Sequence, residues 1–304
     1  MNEPIAWING ETVPVSQARL HVFDMGIVGG VSVAEMLRTF RHRLFRTDEH
    51  LARLQQSLML TGLQPTIGIE EIARRLDEVV AHNTALAVHD DDLGAIVFVT
   101  AGLNATYVGR DVAQAAGCSV GIHTFPLPYR QWSTKYDAGV SLVVPAIKAL
   151  PHDVVDPRIK SRSRMHWHMA DQAARRIEPR ATAILMDGTG QLTETAAANL
   201  IAMIDGALVS PPIGAALEGV SLGVTLELAA ALGYRCERRP IKPTELAAAS
   251  EAWVTSTPPC VLSVTRFNGQ SIGTGQPGPL YRQILSAWSD HVGVDIRAQM
   301  QRGV

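Results

Sequence analysis

Cysteine is scarce. Cys118, Cys236 and Cys260 are far apart, odd in number and in no CxxC spacing, which indicates neither a disulfide framework nor a cysteine zinc site and suits a reducing cytoplasm. No apolar run reaches the length that spans a bilayer, and "MNEPIAWING" has no basic region leading into an apolar core, so neither export nor a membrane partner is expected. An excess of one charge is also lacking: 27 Lys plus Arg stand against 29 Asp plus Glu, net −2, and no global electrostatic case for a nucleic-acid partner arises. Internal repeats, heptads and low-complexity stretches are absent. Among the charged residues lysine is rarest, with only Lys135, Lys148, Lys160 and Lys242.

At 304 residues and 46% hydrophobic, the chain has enough material for a sizeable core and an expected two domains. Asn-Gly between short apolar segments in "AWINGETVPV" predicts an opening hairpin. "HRLFRTDEHLARLQQSLMLTGL" predicts a helix capped near Thr47 or Asp48, with Leu51, Leu54 and Leu58 inward and Gly62 as its stop. "IEEIARRLDEVVAHN" predicts a second amphipathic helix and "GAIVFVTAG" a buried strand. Prolines and aromatics in "HTFPLPYRQWS" mark a connector. The expected division is a small α/β domain over 1–122, the connector over 123–133 and a larger domain over 134–304. In the latter, Asp187-Gly188 and Asp205-Gly206 predict tight turns, and helices are expected from Gly219 to Gly233 and from Gly278 to about Val292.

Three positions stand out for chemistry. Lys160, in "DPRIKSRSRMHWHMADQAARR", sits among arginines at the head of a helix expected over Ser161 to Ile177 with Met165, Trp167 or His168, and Met169 on a buried side. Arginine stays charged, whereas a lysine amine can lose its proton and become a nucleophile. Glu194 is a lone carboxylate in the small, apolar "QLTETAAANL", suited to holding a proton on a heterocyclic nitrogen. Val220 and Ser221 open a helix in "LEGVSLGV", where free N–H groups and a hydroxyl suit a phosphate. His166 and His168 fall on different sides of a helix and make poor joint metal ligands; no metal is expected.

In that order and spacing, "WINGETVPVSQARLHVFDMG", "VAEMLRTFRHRLFRTDEHLARLQQS", "DPRIKSRSR", "LTETAAANLI" and "LEGVSL" resemble the class IV aminotransferase family of pyridoxal-phosphate fold type IV. That family includes branched-chain and D-amino-acid aminotransferases and 4-amino-4-deoxychorismate lyase. The resemblance implies a two-domain α/β fold with pyridoxal 5'-phosphate in the cleft and a cytoplasmic homodimer whose active sites lie near the subunit interface. It implies Lys160 as the Schiff-base lysine, Arg53 as the phosphate arginine and Glu194 as the partner of the pyridine nitrogen. Val220 and Ser221 become the phosphate cradle, and Thr257 of "TSTPP" a further phosphate contact. The implied activity moves an amino group from an amino acid or amine to a 2-keto acid acceptor. A lyase of the aminodeoxychorismate type needs the same groups, and a catalytically silent binding homologue is the alternative of another class.

Departures from the family pattern concentrate on the substrate side. Ile96 and Ala101 stand at the two familiar carboxylate-clamp arginine positions, Gly29 at a pocket tyrosine and Ala34 at a phenylalanine. Substrate identity and chirality are therefore open. Arg130 and Tyr129 of "PLPYRQW", Arg38, Arg164 and the turn containing Pro258 are the candidates for holding a substrate carboxylate. Ile201, Ser210 and Leu222 also depart from the C-terminal signature and are expected to alter packing.

Overall fold

Asn9 and Gly10 both take positive φ, 50° and 99°, and turn β1 (Ile5–Ile8) into β2 (Glu11–Pro14) as the Asn-Gly signal requires. The computed structural model describes residues 2–87 and 91–301. They divide into two compact units: Met1–Leu127 with Arg158–Ser163, and Pro128–Pro157 with Arg164–Val304.

In the first unit β3 (Ser32–Phe40), β4 (Arg43–Leu44), β5 (Leu93–Thr100) and β6 (Val120–Pro126) join the hairpin in one antiparallel sheet, ordered β2-β1-β6-β5-β3-β4. Helices Thr47–Thr61 and Ile69–Thr84 bury Leu51, Leu54, Leu58, Ile72 and Leu76 against Val33, Leu37, Ala95, Val97 and Ile122. Those strand residues alternate along their strands, so one sheet face is covered by helices. Each buried leucine contributes about 1.5–3 kcal/mol. The first helix begins after Arg46, which takes the left-handed conformation at φ 53°, and stops at Gly62, φ 70°.

The second unit has β7 (Val140–Val143), β8 (Thr182–Met186), β9 (Leu192–Thr195), β10 (Asn199–Ile204), β11 (Ala207–Ser210), β12 (Arg235–Arg238), β13 (Ala252–Ser256), β14 (Cys260–Phe267) and β15 (Gln270–Ser271). The path β10-β13-β14-β7-β8-β9 returns to β10 through Asn199 opposite Glu194, closing a ring of strands and leaving fewer open edges. Asp205 and Gly206, φ 49° and 76°, make the expected tight turn from β10 to β11. The β8–β9 connection is longer: Asp187 accepts from Thr189 and Gln191, and the positive φ falls on Gly190 rather than Gly188. Helix Val220–Ala231 begins after Gly219, and Pro279–Val292 after Gly278.

Two expectations change around the lysine. The helix begins at Met165, not Ser161, because residues 160–162 are extended: Ala34 N–H donates to the Lys160 carbonyl (3.1 Å) and Arg162 N–H to that of Ser32 (2.9 Å), around a bridge between Val33 and Ser161. This pairing makes Arg158–Ser163 part of the first unit, whereas the division expected from the sequence puts the lysine in the larger domain over 134–304. Along the helix Trp167, Ala170 and Ala174 are buried, while Met165 and Met169 are exposed. The buried stripe therefore runs through Trp167, as expected, and then through the small Ala170 and Ala174.

Candidate active site

The residues singled out from the sequence lie in both units and are described unit by unit. In the first, His50, Arg53 and Ser57 occur at i, i+3 and i+7 on Thr47–Thr61, a polar stripe on the helix's buried side. Glu35 of β3 faces the same layer, flanked in alternation by the core residues Val33 and Leu37. Arg53 grips it bidentately, Nε to Oε1 at 2.8 Å and Nη2 to Oε2 at 2.7 Å, while Nδ1 of His50 lies 2.8 Å from Oε2. Glu35, His50 and Arg53 are only 0%, 1% and 8% exposed.

Burial alone would raise the Glu35 pKa, but the charge and hydrogen bonds of Arg53, aided by His50, hold it down to about 2. Burial also pushes His50 below its ordinary 6.5, against the opposing pull of Glu35, so the imidazole is neutral at neutral pH and donates from Nδ1. Ser57 supplies the stripe's last contact: its hydroxyl accepts from the Lys160 backbone N–H at 3.1 Å. Lys160 is thus fixed on both sides, by helix and strand, and its side chain is half-buried.

In the second unit Glu194, Asn199 and Thr255 form one cross-strand row over β9, β10 and β13. The Glu194 carboxylate, half-buried, accepts from Asn199 Nδ2 and from Leu217 N–H, both at 3.3 Å. Asn199 Nδ2 also donates to the Leu217 carbonyl at 2.7 Å, drawing Glu194 toward the start of Val220–Ala231. Gly219 is the N-cap there and supplies no side-chain cap; a Cβ on it would come within 2.0 Å of Asn199 Oδ1. Val220 and Ser221 follow, both buried. Thr257 is half-buried in the turn after β13, and the neighbouring Pro259 carbonyl accepts from Tyr136 at 2.6 Å.

The substrate-side candidates divide. Arg38 is fully buried, with Nε donating to the Thr39 carbonyl (3.1 Å), its guanidinium 3.9 Å from the Phe40 ring centre and Nη2 3.9 Å from Asp92, which makes it part of the packing. Tyr129 and Pro258 are buried, and Arg130 is exposed near the start of the helix Tyr129–Ala138. Arg164 is exposed, its guanidinium 5.8 Å from the Trp167 ring centre. Ile201, Ser210 and Leu222 are buried.

Glu35, His50, Ser57 and Asn199 were not singled out from the sequence. A signal existed for the first three: a lone carboxylate in an apolar strand, and H-x-x-R-x-x-x-S on the helix face that also carries the leucines.

A family model, "Amino-transferase class IV", matches residues 32–267, most of the chain. The chain belongs to that family. Among its relatives, the D-alanine aminotransferase of Bacillus licheniformis is 27% identical over 93% of this chain and 95% of that protein. The branched-chain-amino-acid aminotransferase of Escherichia coli K12 is 25% identical, covering 93% and 91%. Branched-chain-amino-acid aminotransferase-like protein 1 of Arabidopsis thaliana is 26% identical over 93% of this chain, and the chain spans about half, 50%, of its length. Among solved structures, a branched-chain amino acid aminotransferase with pyridoxamine 5'-phosphate, from T.th., superposes with a TM-score of 0.85 at 22% identity, over 96% of this chain and 95% of that one. Both units thus belong to the two-domain α/β fold of this class, fold type IV.

Proposed function

We propose that this family member is a pyridoxal-phosphate-dependent aminotransferase that moves an amino group between an amino acid or amine and a 2-keto acid. The observation that carries the reading is Lys160: one lysine among arginines, its backbone fixed by Ser57 and Ala34, beside a buried arginine–carboxylate pair. The donor set suits the cofactor. An uncapped 12-residue helix begins at a glycine whose Cβ would collide with Asn199, a carboxylate is tied to the same asparagine, and the buried Thr255 hydroxyl in its row has no hydrogen-bond partner among the described residues. The names of the relatives and of the superposed structures agree with this assignment.

When bound, pyridoxal 5'-phosphate supplies a carbonyl that captures an amine and a ring that delocalises the electron pair left by a departing α-proton. The protein's work is binding, orientation and proton movement. Lys160 Nζ would be the covalent anchor and, once the incoming amine has displaced it, the free amine that takes the α-proton and delivers it to the carbon on the other side of the nitrogen. Glu194 holds a proton on the ring nitrogen, Arg53 and the N–H groups at Val220 and Ser221 receive the phosphate, and Thr257 adds a hydroxyl. Arg130 and Arg164 are the exposed side-chain candidates for the substrate carboxylate.

The enzyme acts as a cytoplasmic homodimer. A patch with Val22, Phe23, Ile27, Val28 and Val31, with Tyr107 5.2 Å from Phe23 between ring centres, is exposed and supports such pairing; sedimentation would give the mass. The test of activity is to load purified protein with the cofactor and follow visible absorbance as D- and L-amino acids are added without acceptor, then with a keto acid. Amino-group transfer requiring an acceptor is expected. Pyruvate release from aminodeoxychorismate without any keto acid would overturn the transaminase reading.

A further inference from the structure

We infer that Glu35, braced by His50, is a positioning residue that locks the plane of the Arg53 guanidinium for a phosphate monoester; this rests on the reading above. An arginine in the phosphate role needs an oriented fork of donors, and its long side chain has many rotamers to lose. Glu35 removes that freedom: the Nε and Nη2 edge is chelated at 2.8 and 2.7 Å, which fixes the guanidinium plane and turns Nη1 away from the carboxylate. His50 fixes the carboxylate in turn by donating to Oε2, the oxygen that Nη2 also uses. Because the imidazole is neutral at neutral pH, it adds orientation without a second positive charge. The same helix stripe continues to Ser57 and the Lys160 backbone, so one rigid element sets the positions of both Arg53 and Lys160.

Charge alone predicts the opposite effect. A carboxylate behind Arg53 repels a dianion, so removing it would tighten phosphate binding if neutralisation were its whole role. Positioning prevails because Arg53, 8% exposed, stands nearer the surface than Glu35, which is fully buried under the helix. On this inference the pair offers its arginine end to the phosphate, and a loosened Arg53 withdraws it.

The experiment compares binding of pyridoxal 5'-phosphate and of pyridoxal, which lacks the phosphate, to wild type and Glu35→Gln by absorbance titration at pH 8. The ratio of the two affinities isolates the phosphate contact from the rest of the site. Wild type is expected to favour the phosphorylated form strongly, and Glu35→Gln to cut that preference about tenfold or more. Arg53→Ala added to Glu35→Gln should lower the ratio little further, since both act on one contact. If Glu35→Gln does not fold, Glu35→Asp serves: it keeps the charge but is one methylene too short to hold both nitrogens, and the preference should still fall.

A preference unchanged in the variant, with both affinities reduced alike, would mean that Glu35 only supports the fold and would overturn the inference alone. So would a preference that rises. Wild type that binds neither compound would sink the functional reading and this inference with it.

Discussion

The two carboxylates assigned to the cofactor's surroundings are held in opposite ways. Glu35 is fully buried, chelated by Arg53 and bonded to His50 at distances up to 2.8 Å. Glu194 is half-buried, and its contacts to Asn199 and Leu217 are both 3.3 Å. A buried charge must be fully paired within the protein or it costs several kcal/mol, whereas a partly exposed one can stay loosely held until a ligand meets it. Glu35 is therefore committed to the fold's own interior, whereas Glu194 keeps a partly exposed carboxylate.

The largest effect should come from breaking the tight pair. Arg53→Ala leaves Glu35 buried without its main partner, and denaturant unfolding of the cofactor-free protein should show a loss of about 3–5 kcal/mol. The equivalent cut in the second unit, Glu194→Gln, should change stability by no more than about 1 kcal/mol in the same experiment, while the cofactor-loaded variant loses most transaminase activity. Equal stability losses would erase the contrast.

Acid sharpens it. The Glu35 pKa is depressed from 4.5 to about 2, so its contribution is fully present above 4.5 and is lost as pH falls toward 2. The size is on the order of 3 kcal/mol from that shift. His50, lowered from 6.5, acts in the same direction over a higher window: below 6.5 the unfolded chain takes up a proton that the folded imidazole resists. Melting temperature against pH should fall first below 6.5 and then below 4.5. His50→Asn should flatten the first step and Glu35→Gln the second.

A smaller effect is expected at the loose carboxylate's neighbour. Gly219→Ala places a Cβ 2.0 Å from Asn199 Oδ1, and Asn199 must shift from Glu194 and Leu217. We expect about 1–3 kcal/mol in unfolding together with weaker cofactor binding. Unchanged binding would show that the contact between Asn199 and the helix start has no part in the site.

Much of this frame was legible in the sequence because local chemistry dictates it. Asn9-Gly10 and Asp205-Gly206 specify their turns, the leucine spacing and Gly62 delimit Thr47–Thr61, and Gly219 precedes its helix where expected. The extended backbone at Lys160 was not legible, since its partners are Ser32 and Ala34 in a distant strand, and local pattern continued the helix to Ser161. Met165 and Met169 depart for a related reason: hydrophobicity marks them as buried, but Trp167 with the small Ala170 and Ala174 is what packs. Glu35 and His50 each carry a local signal, a lone carboxylate in an apolar strand and a polar stripe on the leucine face, but only tertiary contact makes them a pair.

The covalent assignment of Lys160 is open to direct measurement. Protein loaded with pyridoxal 5'-phosphate would be reduced with borohydride, digested and its cofactor-labelled peptide sequenced by mass spectrometry, beside Lys160→Ala treated identically. The label is expected on Lys160 alone, with none retained by the variant. A label on Lys135, Lys148 or Lys242, or a borohydride-reducible chromophore surviving in Lys160→Ala, would contradict it.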